Sequence, residues 1–141
     1  MCPVLFSSVY DVAVKTPLQH VPLLSKRLAN RVYLKREDLQ PVHSFKIRGA
    51  YNKISKITES NRYRGVIAAS AGNHAQGVAY SAKALGVKAT IVMGENTPSI
   101  KVDAVTALGA KVILHGDTYD QAAIFARDVA RENDYVFVHP Y

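Results

Sequence analysis

The segment Ser44-Phe45-Lys46-Ile47-Arg48-Gly49-Ala50 places a lysine where its amine could do covalent chemistry. Ser44 is a favourable N-cap, so the pattern predicts a helix from about residue 45 to residue 57 with Lys46 in its first turn. The positive end of a helix disfavours a nearby ammonium, and a less protonated amine is what a Schiff-base lysine requires. A solvated surface lysine is the competing interpretation, and position alone favours it because most lysines are exposed.

A second segment, Ser70-Ala71-Gly72-Asn73-His74, lies between a predicted strand and a predicted helix. Free backbone N–H groups at a helix start bind anions, so a carboxylate or a phosphate could bind there. Gly72 would allow the backbone to approach the ligand closely. The segment has a single glycine, which excludes a dinucleotide-binding fingerprint and a Walker loop. A plain strand-to-helix turn with Ser or Asn as the N-cap is the alternative interpretation.

Four short apolar runs in the second half of the chain predict strands. They lie at residues 66–69, 89–92, 112–114 and 135–138, and an amphipathic segment separates each pair. Because polar residues do not alternate within the runs, they suit strands buried on both faces of a parallel sheet. The segments between them have helical periodicity. The sequence therefore predicts an α/β fold, an open parallel sheet with flanking helices, in the order β-α-β-α-β-α-β.

The composition is that of one globular domain of ordinary size, with 141 residues of which 48% are apolar. The net charge of +7 is uneven, since residues 1–64 hold 12 Lys and Arg against 4 Asp and Glu. Such a basic half is compatible with a solvated or interface surface, an anionic small ligand or a nucleic acid. No zinc-finger spacing, basic heptad or RNA-binding aromatic motif is present, so we expect no nucleic-acid partner.

The sequence contains neither an apolar stretch near the roughly 18 to 20 residues of a membrane span nor a secretory signal at Met1–Tyr10. Cys2 is the only cysteine, which excludes an intrachain disulfide and a cysteine-rich metal site. His20, His115 and His139 show no metal-ligand spacing and are interpreted as structural. We therefore expect a cytoplasmic protein that binds no metal and no membrane.

The segment Lys35–Tyr51 closely resembles the lysine motif of fold-type II pyridoxal-phosphate enzymes and is most similar to that of threonine dehydratases. Within it, Gln40-Pro41-Val42-His43 resembles the biosynthetic form. The segment Ser70–Gly77 resembles the substrate loop of that family, and Thr16-Pro17-Leu18 resembles its N-terminal motif. Three motifs in the same order are far more specific than any one of them, and the similarity runs from about Thr16 to the end of the chain.

The resemblance implies roles for individual residues. Lys46 would carry pyridoxal 5'-phosphate as a Schiff base, and Phe45 would pack beside the pyridine ring. Asn73 would form a hydrogen bond with the ring hydroxyl. His43 is either part of the site or a structural loop histidine. The pocket for the substrate carboxylate would be shaped by Ser70, Ala71, Gly72, Asn73 and His74.

The function that the resemblance implies is deamination of L-threonine and L-serine by β-elimination of water, the first step of isoleucine biosynthesis. Lys46 would act as the general base at the α-carbon, and the products from threonine would be 2-oxobutanoate and ammonia. The partners implied are a small amino-acid substrate and further copies of the protein in a homo-oligomer. The alternatives are a serine racemase or a catabolic serine/threonine dehydratase, which share the same lysine and loop, and a non-catalytic basic binding module.

The resemblance also predicts a division into domains. It assigns residues 1–50 to the large domain of the family and residues 51–141 to a small α/β domain. The glycine-rich phosphate loop of the family, and the Ser or Cys that faces the pyridine nitrogen, come later in the family's chains. This sequence has 8 glycines and no run of them. We therefore expect an N-terminal portion of a longer protein, inactive alone, without the rest of the large domain or any regulatory domain.

Overall fold

A computed structural model describes residues 7–141, and residues 1–6, which include Cys2, lie outside the described residues. Short 3-10 helices at Val9–Asp11 and Glu37–Leu39 accompany the regular elements. In chain order the strands are β1 Leu18–His20, β2 Tyr33–Lys35, β3 Val66–Ala69, β4 Ala89–Met93, β5 Lys111–Leu114 and β6 Val136–Phe137. The α-helices are α1 Pro22–Arg27, α2 Lys46–Ser55, α3 Glu59–Arg62, α4 Asn73–Ala84, α5 Ser99–Ala107 and α6 Tyr119–Glu132.

Strands β3 to β6 form one parallel sheet in the order β5-β4-β3-β6. Strands β3 and β4 are buried along their whole length because helices cover both faces of the sheet. On one face, α2, α4 and α5 pack against the side that carries Val66 and Ala68. On the other face, α6 packs against Ile67 and Ala69. These observations confirm the predicted α/β fold and its four parallel strands.

The order of the strands reverses after β5. The chain adds β4 and β5 on one side of β3, and α6 then crosses the opposite face so that β6 pairs with the free side of β3. The carboxyl ends of β3 and β6 are therefore neighbours, and the Val138 N–H donates to the Ile67 carbonyl at 2.8 Å. Open α/β sheets bind ligands beside such a reversal.

Helix α2 begins one residue later than the sequence indicates. Phe45 already has helical backbone angles, with φ −63° and ψ −14°, and it occupies the N-cap position without a side-chain capping bond. The prediction of Ser44 as the N-cap is therefore wrong by one residue. Its buried hydroxyl still accepts a hydrogen bond from the Lys46 N–H at 3.3 Å, so it satisfies one free donor at the helix start.

The first part of the chain contributes an antiparallel pair of strands, β1 and β2. The apolar and β-branched residues of the segment 31–35 predict a strand, and β2 covers the last three residues of that segment, Tyr33–Lys35. The boundary predicted between residues 50 and 51 falls within α2, whose residues Ala50 and Ile54 belong to the core beside the parallel sheet. The assignment of residues 1–50 and 51–141 to two domains stays a prediction.

A buried polar cluster ties α2 to the N-terminal part of the chain. The Glu37 carboxylate accepts hydrogen bonds from the Thr16 hydroxyl at 2.6 Å and from Arg48 Nε and Nη2 at 2.8 and 2.9 Å. Gln40, which is 1% exposed, forms two hydrogen bonds of 2.9 Å with the Val14 backbone. Hydrogen bonds from Arg48 lower the pKa of Glu37 to about 2, although burial acts in the opposite direction. The two-point ion pair therefore holds the first turn of α2 in place.

Replacing Glu37 with glutamine should lower the free energy of unfolding of the full-length protein by about 1–3 kcal/mol, because Arg48 loses its charged partner. A carboxylate with a depressed pKa stabilises the folded state above its ordinary value of 4.5, and this stabilisation is lost as the pH falls towards about 2. The difference between wild type and Glu37→Gln, measured by urea unfolding, should therefore shrink over that range.

The matched control is Asp38→Asn, which neutralises the neighbouring carboxylate. Asp38 pairs with Arg36 at 2.7 Å, but its side chain is 56% exposed. Water and salt screen such an exposed ion pair, so this variant should stay close to wild type. Equal losses in the two variants, or a difference that widens at low pH, would contradict the role assigned to Glu37.

Candidate active site

Lys46 is the first residue of α2, and its side chain lines a cavity of about 360 Å³. Its Nζ donates a hydrogen bond to the Pro140 carbonyl at 2.6 Å and lies 5.6 Å from the ring centroid of Phe45 and 5.5 Å from that of Tyr141. Within residues 7–141, no carboxylate forms a salt bridge with this amine. The amine is therefore held by a carbonyl and two aromatic rings, and no neighbouring anion neutralises it.

The cavity lies at the carboxyl ends of β3 and β6. Helix α2 forms one wall, the first turn of α4 contributes a second, and the residues after β6 form a third. Its volume falls within the range of roughly 300–1,000 Å³ that small-molecule sites occupy. The lining residues are Phe45, Lys46, Arg48, Gly49, Ala50, Lys53, His74, Phe137, His139, Pro140 and Tyr141.

The turn between β3 and α4 comprises residues 70–72. The Ser70 N–H donates to the Val92 carbonyl at 3.0 Å, which continues the sheet, and the Ser70 hydroxyl accepts from the Gly72 N–H at 3.2 Å. Gly72 occupies the N-cap of α4, where no side chain caps the helix. A Cβ atom on Gly72 would meet nothing within 4 Å, so the space beside this helix start is open. The first N–H groups of α4 can therefore donate hydrogen bonds to a bound anion.

His74 links the start of α4 to the end of β6. It is buried, and its Nε2 lies 2.9 Å from the Val138 carbonyl oxygen. Because a carbonyl can only accept, Nε2 carries the proton. Burial lowers the pKa of His74 and the positive charge of Lys46 lowers it further, although the bond to Val138 acts in the opposite direction. The ring is therefore neutral near pH 7, with Nδ1 unprotonated.

The structure brings some of the predicted site residues together and leaves others beside the cavity. Phe45, Lys46 and His74 line it, and the Phe45 side chain is 59% exposed. Residues 70–73 lie in the adjoining turn and at the first position of α4, and they are not among the lining residues. His43 has a positive φ of 52°, and its Nδ1 lies 3.0 Å from the Asp38 carbonyl oxygen, which favours a structural loop histidine.

No motif in the sequence singles out the wall formed by residues 137–141. His139, interpreted from the sequence as structural, lines the cavity, and its ring centroid lies 5.5 Å from that of Tyr141. His20 and His115 are exposed and lie outside the cavity; the His20 ring lies 5.1 Å from that of Tyr33, and the His115 ring is stacked on Phe125 at 3.9 Å. The predicted strand at 135–138 is the one feature of the sequence that points to this wall, since polar groups that follow adjacent parallel strands meet at one edge of the sheet.

Within residues 7–141, no group of three or more His, Cys, Asp or Glu side chains could hold a metal ion. No helix within the same range is long and apolar enough to cross a lipid bilayer.

Comparison with known proteins places this arrangement in a family. Residues 9–141 match the family described as pyridoxal-phosphate dependent enzyme. The chain is 57% identical over 138 residues to the biosynthetic L-threonine dehydratase IlvA of Pasteurella multocida, which covers 98% of this chain and 27% of that protein. The chain thus spans about a quarter of the length of the curated relatives that it matches.

Two solved structures share the fold closely. Processed threonine deaminase isoform 2 from Solanum lycopersicum superposes with a TM-score of 0.95 at 47% identity, over 99% of this chain and 38% of that one. Maize serine racemase superposes with a TM-score of 0.92 at 28% identity, over 98% of this chain and 43% of that one. The backbone is therefore common to both kinds of enzyme, and the sequence is closer to the deaminase.

Replacing His74 with leucine should lower the free energy of unfolding of the full-length protein by about 1–3 kcal/mol, because the buried Val138 carbonyl loses its donor. His74→Gln should lose less, since its side-chain amide can still donate. A histidine with a depressed pKa destabilises the folded state as the pH falls below its ordinary value of 6.5. Urea unfolding between pH 8 and pH 5 should show this slope in wild type and a weaker slope in both variants. Equal losses for leucine and glutamine would contradict the proposed hydrogen bond.

Proposed function

Because the chain belongs to the pyridoxal-phosphate-dependent enzyme family, we propose that Lys46 binds the cofactor and that the full-length protein deaminates L-threonine. The observation that carries this proposal is the Lys46 amine in a cavity at the carboxyl ends of β3 and β6, without a carboxylate partner among residues 7–141. Most surface lysines have no such enclosure, so the position favours a chemical role for this amine.

The residues around the cavity fit pyridoxal phosphate. Lys46 and Lys53, which form no salt bridge within residues 7–141, line it together with His139 and with Arg48, whose guanidinium is paired with Glu37. No Asp or Glu of the described residues lines it. Such a basic surface suits a cofactor with an anionic phosphate and a substrate with a carboxylate. Phe45 offers an exposed aromatic face for the pyridine ring.

Lys46 has two tasks in the proposed reaction, covalent attachment of the cofactor and proton transfer. When bound, pyridoxal phosphate supplies an electron sink for the pair released at the substrate α-carbon. Lys46 acts as the general base, and its neutral amine takes the α-proton. The β-hydroxyl leaves as water, and hydrolysis of the released enamine gives 2-oxobutanoate from threonine or pyruvate from serine, with ammonia.

The turn before α4 provides the groups for substrate orientation. We assign the carboxylate to residues 70–74, where the uncapped N–H groups of α4 and the Ser70 hydroxyl lie together. Asn73, exposed at the first position of the helix, provides a side-chain amide for the ring hydroxyl of the cofactor. The neutral His74 ring holds the end of β6 against this turn.

A serine racemase is the second candidate, because the backbone of the maize enzyme superposes on this chain with a TM-score of 0.92. The identity of 57% to a dehydratase, against 28% to that racemase, favours deamination. Chiral analysis of serine incubated with the full-length protein separates the two, since a racemase accumulates D-serine and a dehydratase accumulates pyruvate. Family membership gives no support to a non-catalytic basic module. A homo-oligomeric state, a cytoplasmic location and the domain division stay proposals.

Lys46→Ala in the full-length protein should abolish the visible absorbance of covalently bound cofactor and reduce kcat for threonine by at least about a thousandfold, because both tasks of the amine are lost. The control is Lys56→Ala, which removes an exposed lysine just after the same helix. It should leave absorbance and turnover unchanged. If Lys46→Ala retains both signals, the assignment of Lys46 is wrong.

Ser70→Ala and Asn73→Ala should affect different ligands. Loss of one hydrogen bond to a charged group costs about 1.5–3 kcal/mol, so Ser70→Ala should raise KM for threonine roughly tenfold or more without weakening cofactor affinity. Asn73→Ala should instead raise the dissociation constant of the cofactor. Equilibrium dialysis with pyridoxal phosphate and steady-state kinetics distinguish the two effects, and identical profiles for the two variants would contradict the division of roles.

A further inference from the structure

Helices α2 and α4 touch through their backbones at Gly77. A Cβ atom at position 77 would lie 3.1 Å from both the carbonyl carbon and the carbonyl oxygen of Lys46, and 3.2 Å from the backbone nitrogen of Ile47. Carbon atoms in favourable contact lie about 3.5–4.0 Å apart, so a side chain here would force the first turn of α2 away from α4. The atoms that would clash are backbone atoms, which cannot rotate aside as a flexible side chain would.

Glycine is an unfavourable residue type at position 77 as far as the stability of helix α4 itself is concerned. It is buried inside α4 between Gln76 and Val78, and a helix interior normally disfavours glycine because of its backbone entropy. Its backbone angle is not one that requires glycine, since the glycines of this chain with positive φ lie elsewhere. The contact with the Lys46 peptide is the structural reason for a glycine at this position.

We propose that Gly77 is a positioning residue that sets the place of Lys46 in the cavity. The proposal rests on the proposed role of Lys46 and goes beyond it, because Gly77 lines no part of the cavity itself. Any residue larger than glycine moves the peptide from which the catalytic side chain projects. The backbone would have to move by a few tenths of an ångström, which uses up much of the roughly 0.5 Å within which catalytic geometry must be held.

Because α4 is fixed to the sheet, the contact at Gly77 sets the distance between Lys46 and the turn before α4. Three residues earlier on α4, His74 is fixed to β6 by its hydrogen bond to Val138. The turn before α4 is fixed to β4 through the bond from Ser70 to Val92. Helix α4 is therefore anchored to the sheet, and the contact at Gly77 determines how closely Lys46 approaches the turn that we assign to the substrate.

The test compares two single-methyl changes on α4 in the full-length protein. Gly77→Ala adds a methyl group at the contact with Lys46, and Ala82→Gly removes one from a buried position further along the same helix. Both should lower Tm by a few degrees. Gly77→Ala should raise the dissociation constant of pyridoxal phosphate at least tenfold and shift the pH at which the bound cofactor's absorbance titrates. Ala82→Gly should leave the dissociation constant within about twofold of wild type. It should also leave the pH at which the absorbance titrates within about 0.2 units.

A double variant separates displacement of Lys46 from simple overpacking. Ile47 is fully buried in the core cluster against which Tyr80 of α4 packs, so Ile47→Val removes one methyl group close to the same helix pair. Overpacking among side chains would be relieved by this change, because total volume is conserved. Gly77→Ala combined with Ile47→Val should nevertheless recover neither Tm nor cofactor affinity, because the clash is with backbone atoms of Lys46 and Ile47 and remains. Recovery of both would overturn the proposal.

The remaining outcomes also decide the question. Wild-type affinity and absorbance in Gly77→Ala would overturn the proposal. If neither Gly77 variant folds, amide hydrogen exchange in the wild-type apoprotein decides, since the Gly77 amide, buried inside α4 against α2, should exchange slowly, and fast exchange would overturn the contact. Failure of the proposed function is recognised separately. In that case the wild type does not bind pyridoxal phosphate, or Lys46→Ala binds it with unchanged absorbance.

Discussion

Helix α2 carries Lys46 at its first position, and helix α4 carries residues 70–74 at its start, so the distance between these two helices determines the geometry of the candidate site. The distance is set by direct backbone contact at Gly77. Side chains at an ordinary helix interface keep the axes about 8–10 Å apart and can adjust through their rotamers. A backbone contact has no such freedom. Away from this contact, Ala50 and Ile54 of α2 belong to the same core cluster as Val78 and Ala79 of α4.

The opposite side of α2 is held by charge. Arg48, in the same turn as the contact of Lys46 and Ile47 with Gly77, is paired with Glu37, and burial alone would raise the pKa of that carboxylate. The lowered pKa shows that the guanidinium and the Thr16 hydroxyl outweigh the desolvation. The backbone contact with α4 and this ion pair act on the same turn from two directions. Because the helix start is constrained on two sides, the backbone of Lys46 has a fixed position although its side chain is flexible.

Much of the fold could be predicted from the sequence, because strands buried on two faces leave a pattern that solvent-exposed elements do not. The runs at 66–69 and 89–92 lack alternation for this reason, and they coincide with β3 and β4. Local motifs likewise indicated Lys46 and residues 70–74. The wall at 137–141 could not be predicted, because it depends on which strand β6 joins, and spacing along the chain does not encode strand order. Gly77 belongs to the segment that resembles the family's substrate loop, but its contact with the Lys46 peptide could not be predicted, because the sequence does not show which helix packs against it.

The reversal of strand order explains why residues 137–141 meet helix α2 in one cavity. Strand β6 joins the free side of β3, so residues 138–141 come to rest beside α2, more than ninety positions earlier in sequence. Two helix starts, those of α2 and α4, point towards the same edge of the sheet as a result. Each start leaves unpaired N–H groups with a partial positive charge, which favours anions. The cavity lining adds Lys53 to this field and, within residues 7–141, no carboxylate; Arg48 also lines the cavity, but its charge is balanced by Glu37. The fold therefore concentrates positive potential around Lys46 before any ligand arrives, and an anionic cofactor and a substrate carboxylate are the ligands that such a field attracts.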